Sequence, residues 1–297
     1  MTLISMLIAL IIERLAVRSE AWQFLFYAKK YLSLSQSTGL SKLSDDSKGQ
    51  YIWVLLPGII FAALLWLIGS SLVSLVLNTL VLLVCIGCWH YRQLYKQYLN
   101  ASERADSEAA FLTMQQLSKD VGLTDADLSY GQRLVWLNFR YYAAVLFWFA
   151  ILGGAGAITY ALLRQLNEPA SWDKPVQAAA TERDAEIADV VDTTAGIPAV
   201  FQQLIFWADW VPARLFGVGL ALVGHFSRAS TALLAFLGDF STSSATVITT
   251  VAKAAEPLPD DAYNCAEETA CMVQLAKRNV LFFLALVAVL TLSGWLG

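Results

Sequence analysis

An acid, a proline and an arginine stand together inside an apolar run: Asp209-Trp210-Val211-Pro212-Ala213-Arg214-Leu215, within residues 199–223. A charged group at membrane depth costs about 2.5–3.5 kcal/mol on insertion scales, so such residues mark a site, a pairing or a helix break. Pro212 has no backbone donor and is expected to break the helical ladder, freeing carbonyls near Ala208 and Asp209. Asp209 and Arg214 lie five residues apart, about 140° around a helix, so they meet only if that break occurs. Two readings follow. One is a polar pocket that binds an anionic ligand through Arg214 and the freed helix end. The other is an interfacial helix with Trp210 as anchor and Arg214 reaching for headgroups.

Three further residues are candidates for the same pocket. Glu13, beside Arg14, ends the first apolar stretch, and Asn138 and Arg140 stand where another apolar run begins. Each has a simpler role available: Glu13 as an interfacial marker, Arg140 as a positive-inside anchor. His90 and His225 lack companions at metal-ligand spacing, so no zinc site is expected. Cys85-Ile86-Gly87-Cys88 matches C-x-x-C but lies in an apolar run, which favours buried membrane cysteines. Cys265 and Cys271 would pair in the periplasm and stay reduced in the cytoplasm. No phosphate-loop, dinucleotide, nucleophile-elbow or zinc-protease motif occurs, and no particular cofactor is indicated.

These side chains need elements to hold them, and the composition says which. The chain has 297 residues, 57% hydrophobic and 15% charged, with a mean hydropathy of +0.55. A soluble domain carries nearer a quarter charged residues, so an all-α, polytopic membrane protein is expected, lipid-embedded, with five or six membrane segments. The net charge of −4 excludes nucleic acid as a partner, since phosphate contacts need clustered Lys and Arg. Residues 1–12 are too short for a full span and lack the basic start of a signal peptide. Residues 52–68 and 72–88 read as a helical hairpin around Gly69-Ser70-Ser71. Residues 89–131 read as amphipathic and charged, and 141–163 as a clear span carrying Gly153-Gly154-Ala155-Gly156. A further helix is expected over 230–237, another over about 243–255, and a last span over 280–295.

Charge then orients the chain. Residues 17–51 hold five basic side chains and 89–140 hold six, whereas 164–197 holds three against seven acids. Loops rich in Lys and Arg stay inside, so a single membrane domain over 1–297 is expected, with 17–51 and 89–133 cytoplasmic and 165–197 an acidic periplasmic loop. Extramembrane helices fall within 239–278. Lys277-Arg278 puts the start of the last span back inside if 199–223 recrosses the bilayer, the favoured topology; the competing one leaves 164–277 outside and reverses the last span.

Four blocks carry a resemblance: MTLISMLIALIIERL at the start, LVWLNFRYYAAVLFWF at 134–149, DWVPARLFGVGLALVGH at 209–225 and LGDFSTS at 237–243. Together they resemble the AmpE family of bacterial inner-membrane proteins over essentially the whole chain. The resemblance implies a role in regulating β-lactamase induction and muropeptide recycling. It also implies a muropeptide or nucleotide ligand and AmpD, the amidase usually encoded beside the family, as a partner. The family is in turn similar to the CobD/CbiB cobinamide-phosphate synthases, whose N-Y-x-P-A-R-L motif is like Asp209 to Leu215. That implies an alternative, an enzyme forming or cleaving an amide with Glu13 or Asp209 as acid/base. The acid-rich segment of those synthases is replaced here by Trp136-Leu137-Asn138-Phe139-Arg140-Tyr141, without a carboxylate, so a shared fold with altered chemistry is the expectation.

Overall fold

The computed structural model describes residues 2–15, 22–38, 47–87, 89–121, 123, 128–168, 199–258 and 266–294. Most of the acidic segment at 165–197, together with Cys88 and Cys265, lies outside them. Every regular element is helical: α1 Thr2–Leu15, α2 Phe24–Ser37, α3 Ser47–Ile68, α4 Ser71–Cys85, α5 Trp89–Glu103, α6 Ser107–Val121 and α7 Tyr130–Asn138. A π-helical turn, Phe139–Ala143, then runs into α8 Ala144–Leu166, followed by α9 Ala199–Val223, α10 Phe226–Leu234, α11 Ser244–Ala255 and α12 Ala266–Leu292. Among the described residues four stretches are long and apolar enough to cross a bilayer: 48–68, 130–166, 199–223 and 266–292. A fifth is available if α4 and α5, bent by 44°, count as one. The protein is an all-α polytopic membrane protein.

The 130–166 stretch is not the single crossing expected over 141–163. Gly153 sits inside α8 at φ 62°, ψ −151°, a region open to glycine and closed to other residues. There the chain turns back on itself. Arg164 Nη1 donates to the carbonyl of Arg140 at 3.1 Å, and Arg140 Nη2 reaches the carbonyl of Arg164 at 3.5 Å. A straight helix would separate those residues by about 36 Å at ~1.5 Å per residue. The two arms, residues 130–152 and 154–166, therefore form an antiparallel hairpin. Near the tip Gly156 lies against the backbone of Trp148, where any side chain would collide with the carbonyl. The amide of Gly154 opens the second arm and is capped by Asn78 Oδ1 of α4 at 2.8 Å.

Other elements wrap this hairpin. α3 packs along the second arm, with Gly58 against Ala155 and Thr159, and α4 lies between α1 and the hairpin. α12 follows the first arm, its Glu268 accepting from Ser129 Oγ at 2.5 Å and from the Gly131 amide at 3.3 Å. Ser129 is also the N-cap of α7, in a capping box with Gln132. The main core gathers Phe139, Val145, Leu146, Phe149, Leu220 and Val251, all fully buried.

Three local expectations change. Residues 89–121 form two helices, α5 and α6, separated at Ala105, which adopts φ 57°. The helix expected over 230–237 begins earlier, at Phe226, and ends at Leu234. α12 starts at Ala266 rather than near 280, because one buried stripe (Glu268, Thr269, Met272, Leu275, Ala276, Asn279) continues into the apolar run.

Candidate functional site

Pro212 does not break α9, which is continuous from Ala199 to Val223. The missing donor leaves the Ala208 carbonyl unpaired within the helix, and Trp148 Nε1 from the first hairpin arm supplies a hydrogen bond at 3.1 Å. A neighbouring helix thus satisfies the freed group, as membrane proline requires. Because α9 stays helical, Asp209 and Arg214 face different surroundings. Asp209, 4% exposed, looks into the hairpin and accepts from Tyr160 Oη at 2.6 Å. Arg214, also buried at 5% exposed, points away from that cluster toward the turn at Asp239. Its Nη1 donates to the Trp210 carbonyl at 3.2 Å and its Nη2 to the Asp239 carbonyl at 2.6 Å.

Asp209 belongs to a buried polar cluster at the open end of the hairpin. The charge of Arg140 interacts with Asp209 and with Glu168, and Arg164 interacts with Asp209. Both guanidinium groups are almost wholly buried, Arg140 at 6% and Arg164 at 1% exposed. Arg164 also donates to the Cys85 carbonyl at 3.4 Å and lies over the Tyr141 ring, 3.9 Å from its centroid. Tyr141 Oη donates to Glu168 Oε1 at 2.7 Å, and Gln165 Nε2 to Glu168 Oε2 at 3.1 Å. Among the described residues neither arginine forms an ion pair, and each Nε has no hydrogen-bond partner. Two buried cations are thus held chiefly by neutral carbonyls and rings, with carboxylates in electrostatic range. Such an arrangement is costly, which makes the cluster a candidate site.

The π-helical turn gives the cluster its shape. One extra residue per turn at 139–143 places Tyr141 toward Arg164 and Glu168, and Tyr142 toward α1 and α5. Tyr142 Oη donates to Glu13 Oε1 at 2.9 Å, and Arg92 pairs with the same carboxylate at 2.5 Å. Glu13 is therefore joined to the cluster through the Tyr141–Tyr142 step and not by direct contact. Asn138, half-buried, keeps a side-chain oxygen without a partner at the start of the turn.

Arg214 anchors a second structure. Its guanidinium covers the Trp210 ring at 4.2 Å, and Trp210 stacks on Phe240 at 4.8 Å with the rings 3° apart. The Asp239 carboxylate accepts from the Ser241 amide at 2.7 Å and its hydroxyl at 2.6 Å, and from the Thr242 hydroxyl. Those bonds hold the Asp239 carboxyl below the usual carboxylate range, the Ser241 hydroxyl first among them. The LGDFSTS stretch is thus a turn that clamps α9.

Of the five sequence candidates, the structure gathers Arg140 and Asp209, links Glu13 at one remove, leaves Asn138 beside them and sends Arg214 to the clamp. Residues that the sequence did not single out complete the cluster: Tyr141, Tyr160, Arg164, Gln165 and Glu168, with Arg92 and Tyr142 at Glu13. By sequence Arg164 ends a long helix and Glu168 belongs to the acidic loop after it. Their distance from Arg140 along the chain hid them, and only the glycine cluster at 153–156 signalled that the chain could return.

The family model for "Regulatory signalling modulator protein AmpE" matches this chain over residues 1–297. A curated relative from Shigella flexneri, "Protein AmpE", is 32% identical over 314 residues, covering 99% of each chain. No solved structure matches.

Proposed function

Because this chain belongs to the AmpE family of regulatory signalling modulators, we propose that it is a membrane sensor in β-lactamase regulation, seated in the bacterial inner membrane, whose buried cluster binds an anionic ligand. The ligand class is a muropeptide or a nucleotide. One observation carries the reading: Arg140 and Arg164 are buried side by side without an ion pair, each with a free Nε edge. Guanidinium groups bind carboxylate and phosphate through paired N–H bonds, and a pair of them between helices suits an anion that has shed its water. Asp209 and Glu168 offset the charge of the two arginines, and Tyr160 and Tyr141 orient those carboxylates. Binding that draws the arginines off the backbone carbonyls would loosen the hairpin against α9, giving a two-state signal to a partner such as AmpD.

The test uses the detergent-purified protein with anhydro-muropeptides and nucleotides as probes, read by thermal shift and calorimetry. Saturable binding lost in Arg140→Met and Arg164→Met, and kept in Arg214→Lys, supports the reading. Absence of binding to every probe by a folded protein overturns it. Turnover of an amide-bearing probe would instead favour the amide-bond enzyme that the CobD/CbiB likeness implies.

A further inference from the structure

We infer that residues 130–166 enter and leave the bilayer on the same face, as a re-entrant hairpin, and that the polar cluster at its mouth is open to the cytoplasm. From Gly153 to Leu166 the second arm rises about 20 Å, short of a hydrocarbon core of ~30 Å. α3 measures the shortfall. It runs antiparallel to that arm, with Gly58 beside Ala155 and Phe61 beside Gly154. Residues 62–68 then continue about 10 Å past the hairpin tip. The tip itself is apolar and exposed, with Ile151 at 52% and Leu152 at 58%, as suits a loop ending in lipid. Its backbone is capped by Asn78, meeting the requirement that irregular backbone at membrane depth find partners inside the protein.

Both ends of the hairpin therefore share a face with the start of α12, which Glu268 ties to Ser129 and Gly131. Arg92, Lys96 and Arg104 are exposed on α5 and just after it, and Lys277 and Arg278 are exposed on α12. Basic side chains flanking membrane segments stay inside, and acids weigh little in that rule. Glu168, the end of the hairpin, accordingly lies on the cytoplasmic face, and 199–223 need not recross for Lys277-Arg278 to lie inside. Resting on the ligand reading above, the anion is then a cytosolic one that meets Arg164 and Arg140 at the mouth.

Single cysteines at Glu103, Asn167 and Ser71, in a chain whose four native cysteines are replaced by serine, separate the possibilities. With a membrane-impermeant thiol reagent, Glu103→Cys and Asn167→Cys should label in inside-out vesicles, and Ser71→Cys in intact cells. Labelling of Asn167→Cys from the side opposite Glu103→Cys overturns the inference. If the cysteine-free chain does not fold, a reporter active only outside the cytoplasm, inserted after Asn167 of the natural chain, answers instead. Inactivity agrees and activity refutes. An anhydro-muropeptide should slow labelling of Asn167→Cys several-fold in inside-out vesicles. Protection from the outer side alone overturns the cytoplasmic opening. Lack of protection on both sides fails the ligand reading and with it the cytosolic-anion clause, leaving the labelling result to decide the hairpin.

Discussion

Asp209 and Arg214 sit on the same helix within two turns of each other and do opposite work. Asp209 lies deep against the hairpin, where one tyrosine hydroxyl holds it and two buried arginines set its field. Arg214 sits over an indole ring and ties α9 to a polar turn through a backbone carbonyl. The first arrangement gathers several buried charges of both signs in one place. The second uses charge as a fastener. Two oppositely charged residues of one motif are separated by about 140° of helix, and that angle decides which neighbours each one meets.

The comparison predicts unequal mutational costs. Asp209→Leu strands buried positive charge and an unpaired tyrosine hydroxyl, so a loss of about 3–5 kcal/mol is expected, seen as a collapse of thermal stability in detergent. An unchanged melt would remove Asp209 from the cluster. Arg214→Ala should cost less, roughly 1.5–3 kcal/mol, with faster hydrogen exchange confined to residues 239–243 and ligand binding kept. Loss of binding in a folded Arg214→Ala protein would merge the two regions again. Gly153→Ala sharpens the contrast from the other side. Strain at that backbone conformation is expected to cost about 1–3 kcal/mol and to disturb the Tyr160–Asp209 contact while sparing the clamp. Asn78→Ala removes one cap from the second arm, about 0.5–1.5 kcal/mol, with the same bias in exchange.

Much of the outline was legible in residue order. The helical class, the charged helices after residue 89, the helix over about 243–255 and the oddity of Asp209 within an apolar run all follow from composition and period. Arg140 was found because it interrupts such a run. Tyr160 and Tyr141 were not, since a phenol at the edge of an apolar stretch reads as an interfacial ring. Arg164 reads as the far end of a crossing helix, because residue order does not show that the chain reverses at 153. Pro212 was expected to break a helix because the sequence cannot show that Trp148 would satisfy the Ala208 carbonyl.

The sequence by itself determined that this chain belongs in a bilayer as helices, because apolar length and charge distribution are local properties. Which arginines share one buried cluster was decided only when the chain folded. A glycine-rich stretch permits a packing contact, a kink or a full reversal. The choice among them was settled by Asn78, by the helices flanking the hairpin and by the carbonyls that Arg140 and Arg164 find on each other's arm. Long-range partners fixed the direction of the chain, and the direction of the chain placed the chemistry.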